Sequence, residues 1–327
     1  MIRRLGPLRS AALAALLLGL LYAGWFLYGW YGPGPADKET AFQVPEGAGL
    51  TVVAARLEEQ GLIGSASAFR LRARLLGSAG GLKAGEFSLP ANASAARILA
   101  ILQGQEGVLR RLVTIPEGLP SIMVQERLMA QPLLTGTVAV PPDGSVLPDS
   151  YAFQRGESRA AVLQRMQTAM DRTLAELWDK RAHDTVAKTP QEAVILAAIV
   201  EKETGKPSER RMVAGLYSNR LRNGMLLQAD PTIIYPITRG KPLGRRIRQS
   251  EIQAVNGYNT YTMVGLPRGA ITNPGRDSIE AVLHPAQTDA LYMVADGTGG
   301  HQFATTLEEH NRNVARWFAL RKAKGEL

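Results

Sequence analysis

The chain has no cysteine among its 327 residues, four histidines, and few aromatic side chains, 6 % of the total. Without cysteine there is no thiol nucleophile, no disulfide and no thiolate metal site, so a domain outside the cytoplasm must be large enough to stabilise itself without cross-links. The histidines, His183, His284, His301 and His310, form no HExxH motif, and none stands at metal-ligand spacing from an acidic residue. No metal is therefore expected, and His301 and His310 read as structural hydrogen-bonders. Acidic residues are scarce, 29 against 38 Lys and Arg, which leaves a formal charge of +9. That excess points to an anionic neighbour, either acidic lipid headgroups or an anionic polymer. No nucleic acid is expected: the basic residues are scattered, with short runs at Arg245-Arg246-Ile247-Arg248 and Arg321-Lys322-Ala323-Lys324, and no recognition motif accompanies them.

Charge is missing altogether from Ser10 to Tyr31, and the next charged residue is Asp37. As a helix this run is about 30 Å long, enough to cross a bilayer core. Arg3, Arg4 and Arg9 precede it and favour a cytoplasmic N-terminus. The reading is a leader over 1–9, a single transmembrane helix over 10–31, and a linker over 32–39 whose Gly32-Pro33-Gly34-Pro35 forms a short hinge. A cleaved signal peptide and a buried core helix are the competing readings. The length of the run, the aromatics at its far end (Trp25, Phe26, Tyr28, Trp30, Tyr31) and the lack of a small-x-small cleavage site before Asp37 favour an anchor.

Beyond the linker, strand and short-helix patterns alternate. Phe42-Gln43-Val44 and Lys83–Leu89 read as strands, and about Leu50–Glu59, Ala66–Leu75 and Ser94–Leu102 as helices, which makes one small α/β module over 40–108. Leu112–Gly118 repeats the strand and Pro-Glu-Gly of Phe42–Gly47, leading into a helix through Leu128. Arg159–Arg181 is a long amphipathic helix whose Met166 and Trp178 read as core. The segment 109–327 is a larger mixed domain, and the whole is of α+β class.

Thr189-Pro190-Gln191-Glu192 is a helix start with a capping residue, a first-turn proline and a capping box, and Thr306-Leu307-Glu308-Glu309 is a second. After the first, a nearly apolar run ends in Glu201-Lys202-Glu203-Thr204-Gly205. Spacings of three and four put Val194, Ala197, Ala198 and Glu201 on one face, which makes Glu201 the polar end of a buried stripe. Desolvation there keeps a carboxyl protonated, as a general acid requires. The plainer alternative is a solvated charge cluster at a helix end, and Glu203 reads as a salt-bridging or surface charge. Downstream, Gln228 and Asp230 precede an element starting at Pro231, with Asp230 equally readable as a helix N-cap. Tyr258-Asn259-Thr260-Tyr261 supplies hydroxyls, an amide and flat faces, and Asn273 lies in a rigid Gly/Pro loop from which it can present its amide. Together they suggest an extended polar groove.

The ordered set Ala197–Thr204, Asn219-Arg220-Leu221, Leu227–Thr232, Tyr258–Tyr261, Gly265-Leu266-Pro267 and Val294–Phe303 resembles the endolytic murein transglycosylase family of bacteria, also called the YceG-like family. The resemblance runs over essentially the whole chain. It implies a LysM-like module, matching 40–108, and a catalytic domain over 109–327. It also implies non-hydrolytic cleavage of the MurNAc–GlcNAc bond inside nascent peptidoglycan strands, leaving 1,6-anhydroMurNAc ends and limiting strand elongation. The family's catalytic glutamate falls on Glu201; Gln228, Asp230, Tyr258, Asn259, Thr260 and Tyr261 are then groove or support. No cofactor is implied. The implied partners are nascent glycan strands, the cytoplasmic (inner) membrane and peptidoglycan synthases, with the catalytic domain on the extracytoplasmic side. Arg268 stands where the family commonly has a second proline, and Gly144–Tyr151 is an imperfect version of a family pattern. Two other outcomes compete, a hydrolase with the lysozyme-like product and a non-catalytic anchored glycan-binding scaffold.

Overall fold

The computed structural model describes residues 7–77, 80–104, 106–109 and 111–325. Most of the basic leader, residues 1–6 with Arg3 and Arg4, lies outside the described residues. Helices and strands mix throughout, as the α+β reading expects, and the chain divides into two compact units, Met1–Arg111 and Leu112–Leu327.

The first unit opens with α1 (Pro7–Tyr31). Within it Ala11–Tyr31 is long and apolar enough to cross a membrane, and its leucines, Leu13 to Leu21, are left exposed by the rest of the chain. Trp30 is the exception: it is buried, and its ring lies 5.8 Å from that of Phe69. There follow β1 (Thr40–Val44), α2 (Leu50–Glu59), α3 (Ala66–Leu76), β2 (Gly85–Leu89) and α4 (Ala95–Gln103). β1 and β2 pair antiparallel, with Thr40 opposite Leu89 and Val44 opposite Gly85. Alternation puts Phe42, Val44, Phe87 and Leu89 on the face covered by Val53, Leu57, Phe69, Ile98 and Leu102 of the helices. Ser65 and Ser94 cap α3 and α4 by accepting from the backbone N–H three residues on. Glu86, buried at the strand end, takes a two-pronged hydrogen bond from Arg111 at 2.8 and 2.9 Å. The Gly-Pro linker is not a free hinge. Gly34 N–H donates to Asn92 O at 3.1 Å and Asn92 N–H to Ala36 O at 2.6 Å, which ties the segment after α1 to the β2–α4 turn.

The second unit opens in β3 (Arg111–Thr114), from Leu112 on, and continues with α5 (Ser121–Met129), β4 (Ser150–Phe153) and α6 (Arg159–Asp179); β3 pairs with β4 over a small core of Val113, Val124, Leu128, Phe153, Val162 and Met166. The larger core is built on α7 (Pro190–Glu203), α8 (Arg210–Arg222) and α11 (Arg276–Leu283), with α9 (Asp230–Thr238) and α10 (Gln249–Ile252) between the latter two. A β5 (Tyr292–Ala295) and β6 (His301–Ala304) hairpin and α12 (Leu307–Ala323) complete it.

α7 is not the one-sided helix that spacing predicts. Ala193 to Val200 are all buried, on every face, so α7 is the central rod of the core. A helix enclosed on all sides carries polar groups only where it emerges, Gln191 and Glu192 in its first turn and three charged residues in its C-terminal turn. Glu201 and Glu203 stand in that last turn, two residues and therefore about 200° apart, and they enter different surroundings.

Candidate active site at the end of the central helix

Glu201 enters an ion-pair cluster. One carboxylate oxygen accepts from Gly275 N–H at 2.9 Å, and the other lies 3.7 Å from the Arg210 guanidinium. Arg210 also holds Glu117 at 2.7 Å and Asp277 at 3.1 Å. A Cβ on Gly275 would overlap the Glu117 carboxyl, so only glycine lets the backbone approach this closely. Burial and the neighbouring Glu201 push the Glu117 carboxyl up, against the pull of Arg210. The cluster joins the β3–α5 turn to α7, α8 and α11. Glu201 is thus engaged by Gly275 and Arg210 within the cluster.

Glu203 has the opposite setting. Its Oε1 is buried without a hydrogen-bond partner among the described residues, and Tyr217 bonds the carboxyl from below, out of α8. Burial, then the charge of Asp230, push Glu203 up to about 7, with Tyr217 and Arg220 pulling the other way. The carboxyl faces a cavity of 360 Å³ lined by Gln228, Asp230, Tyr261, Arg220, Tyr217 and His310, among others. Three of the groove residues expected from the sequence are thus gathered around Glu203 and not around Glu201.

Local structure explains how they are held. Asp230 is not a helix cap: Ala229 is the residue before α9, and the Asp230 carboxylate accepts from the Tyr261 hydroxyl at 2.6 Å. Gln228 adopts a left-handed backbone (φ 54°), uncommon for a residue with a side chain, and is held there by two bonds. Its N–H donates to Thr260 O at 3.1 Å, and its side-chain oxygen accepts from Arg220 at 3.1 Å. Arg220, itself buried, also donates to the carbonyls of Leu226, Leu227 and Leu291 and lies 5.3 Å from the Tyr292 ring.

The other motif residues stand behind the cavity wall. Asn259 is fully buried; its amide donates to the carbonyls of Glu251, Ile252 and Ala254, and its oxygen accepts from Tyr261 N–H at 3.0 Å. Thr260 accepts from Ala229 N–H at 3.0 Å and bonds the Thr232 hydroxyl at 2.9 Å. Tyr258 lies elsewhere, 4.6 Å from Tyr235 between ring centres, with the Arg268 guanidinium 4.7 Å from its own. Arg268, the residue that departs from the family pattern, therefore sets a cation against an aromatic face.

Asn273 does not present its amide to a groove. It is fully buried, accepts from Gly144 N–H (3.0 Å) and Val146 N–H (3.1 Å), and donates to Leu119 O (2.9 Å) and the Ser121 hydroxyl (3.0 Å). It pins the 142–147 loop and the start of α5 together. Asn273→Ala would leave two buried N–H groups unpaired, at about 1–3 kcal/mol each. A loss of roughly 3 kcal/mol is expected, read as a fall in Tm by thermal unfolding of the full chain in detergent.

His301 bonds Glu209 through its ring (2.8 Å), consistent with a structural part, and His310 stacks on Tyr292 at 5.3 Å. Burial and the charge of Arg220 hold His310 below its ordinary range, so the imidazole beside the cavity is neutral near pH 7.

The model of the YceG-like family matches residues 42–316. The chain belongs to the YceG-like family. It is 30 % identical to an endolytic murein transglycosylase of Streptococcus pneumoniae strain D39 over 86 % of its own length and 58 % of that protein's, so it spans less than two thirds of this relative. A Bacillus subtilis protein of the same name is 23 % identical, with 93 % of each chain covered. The 2.6 Å crystal structure of a yceG-like protein from Listeria monocytogenes superposes with a TM-score of 0.54 at 25 % identity, over 85 % of this chain and 99 % of that one. The match of residues 42–316 takes in both glutamates, Gln228, Asp230 and Tyr261.

Proposed function

We propose that this YceG-like protein is an endolytic peptidoglycan lytic transglycosylase, and that its acid is Glu203 in place of the Glu201 expected from the motif. The observation that carries the reading is that Glu203, one carboxyl oxygen of which is buried without a hydrogen-bond partner among the described residues, lines a polar cavity with Gln228, Asp230 and Tyr261. The names of the relatives give the substrate class.

One acid is enough for the reaction. Protonated Glu203 gives its proton to the departing oxygen of the MurNAc–GlcNAc linkage as positive charge develops at C1. The substrate's own N-acetyl oxygen stabilises C1. The Glu203 carboxylate then takes the proton of the C6 hydroxyl, which closes on C1 to give the 1,6-anhydro end. Burial first, and then the like charge of Asp230, favour the protonated form of Glu203, and Tyr261 holds Asp230 in place. Gln228 supplies an amide at the rim. The strand–helix–helix–strand order and antiparallel pair of the first unit support the LysM-like reading of 40–108, and α1 supports a single-pass anchor with a cytoplasmic N-terminus. The anchor holds the enzyme near strands made at the inner membrane.

A second reading has its own observation. Asp230 lines the same cavity, and a second carboxylate is what a hydrolase uses to activate water. Products decide between them. Mass spectrometry of uncross-linked glycan strands treated with the full chain in detergent is expected to show internal cuts ending in 1,6-anhydroMurNAc. Reducing MurNAc ends would make it a hydrolase, and uncut strands a scaffold.

A further inference from the structure

α3 is one-sided in an unusual way. Phe69 and Ala73 are buried, while Leu71 and Leu75, on the opposite face, are 50 % and 66 % exposed. At 100° per residue this exposed apolar ridge has Arg70 and Arg74 along one flank and Arg72 along the other. An apolar ridge flanked by cations is the pattern of a helix lying at a membrane surface.

Arg72 shows where that surface is. Its guanidinium carbon lies 5.4 Å from the Trp25 ring centre and 5.2 Å from that of Phe26, both on α1. These residues stand five and six positions before Tyr31, about 8 Å down the helix axis, the depth of headgroups for a helix whose apolar run ends there. Its Nε is buried with no hydrogen-bond partner among the described residues. Beside it is a cavity of 550 Å³ lined by Trp25, Tyr28, Gly29, Pro33, Phe69 and Arg72. Gly29 leaves the room for it, since a Cβ there would overlap the guanidinium. Aromatic faces orient a guanidinium without neutralising it, so its charge remains available to an anion in the cavity that Arg72 lines. The Trp30–Phe69 contact sets α3 against the end of α1, and the Gly34–Asn92–Ala36 bonds tie the segment after α1 to the β2–α4 turn of the same unit, so the ridge and the cavity keep their level.

We propose that the Arg72 cavity is a binding site for an anionic phospholipid of the leaflet in which α1 ends, its phosphate on Arg72 and its acyl chains along Leu71, Leu75 and α1. This rests on reading α1 as a membrane anchor. The site would hold the first unit flat on the bilayer, where a basic protein next to acidic lipid gains further from Arg70 and Arg74.

The absence of cysteine makes the test direct, because one introduced thiol is unique. The full chain carrying Leu75→Cys, labelled with an environment-sensitive nitrobenzoxadiazole dye, is placed in nanodiscs of phosphatidylcholine alone or with one-quarter phosphatidylglycerol. The expected result is a blue-shifted emission in phosphatidylglycerol discs and at least twofold quenching by doxyl-labelled lipid. A dye on Val255→Cys, at a position 88 % exposed, supplies the reading for water. Native mass spectrometry of the unlabelled chain should retain phosphatidylglycerol about tenfold over phosphatidylcholine, and Arg72→Gln should remove that preference. A label at position 75 that matches position 255 in both discs overturns the proposal, as does equal lipid preference in wild type and Arg72→Gln. Displacement of phosphatidylglycerol by millimolar inorganic phosphate would make the occupant a free anion and overturn it too. A chain that fails to enter nanodiscs at all overturns the anchor reading and the proposal with it; one that enters with position 75 in water leaves the anchor standing.

Discussion

Glu203→Gln is expected to lower the rate of strand cleavage by about 10³-fold, whereas Glu201→Gln keeps activity within roughly tenfold of wild type. The amide keeps the shape of the carboxyl and its bond to Tyr217, but has no proton to give to a glycosidic oxygen. Removing a general acid costs about 10²–10⁴ in rate, and here the same group must also take the C6 proton, so the upper half of that range applies. Glu201→Gln leaves the Gly275 N–H with an oxygen acceptor and takes away one of three anions around Arg210, which keeps Glu117 and Asp277. Its cost falls on the fit of the α7 terminus, and so on Glu203 two residues later. Anhydro-end release by both variants, measured side by side, decides between the two glutamates. A dead Glu201→Gln protein with a normal melting curve beside an active Glu203→Gln protein would return the acid to Glu201.

The two glutamates at the end of α7 show what is local in this chain and what is not. The helix starts were legible because a cap is made by neighbours in sequence: Thr189 and Thr306 each accept from the N–H three residues on. Even there a detail moved. Glu192 and Glu309 reach back to the N–H of Lys188 and Thr305, one residue before the cap. The strand and helix order of the first unit is local in the same way, with Ser65 and Ser94 capping α3 and α4 from beside their own first turns. The stripe argument for Glu201 rested on Val194, Ala197 and Ala198, but Glu203 has an equal stripe in Leu196, Ile199 and Val200. Periodicity cannot choose between two faces of a helix that is buried all round. The choice is made by partners far along the chain, Arg210, Glu117 and Gly275 for one carboxyl, Tyr217 and Asp230 for the other. Asn273 and Asn259 illustrate the same limit. Amides that bind a sugar and amides that hold two loops together look alike until their partners are placed.

Raising the pH through 7 should cost this protein both activity and stability, and through one group. Glu203 sits at about 7 in the fold and near 4.5 when the chain is unfolded. Below pH 4.5 both states hold the proton and the fold bears no penalty. Between 4.5 and 7 the unfolded chain releases its proton while the folded one retains it, so stability falls with pH; above 7 the loss is complete. At 1.36 kcal/mol per unit, the 2.5-unit difference amounts to about 3 kcal/mol. Glu203→Gln carries no such proton. At pH 8 it should therefore be more stable than wild type by up to about 3 kcal/mol, with the difference closing as the pH approaches 4.5, read by thermal unfolding of both proteins at pH 5 and pH 8. Activity should decline about tenfold per unit above pH 7, as the fraction of protonated acid declines. A variant that loses catalysis and gains stability at high pH has lost a group kept neutral by its burial against water. A difference between variant and wild type that is the same at pH 5 and pH 8, beside a flat activity profile, would mean that the carboxyl is ionised in the cavity and that the proton comes from elsewhere.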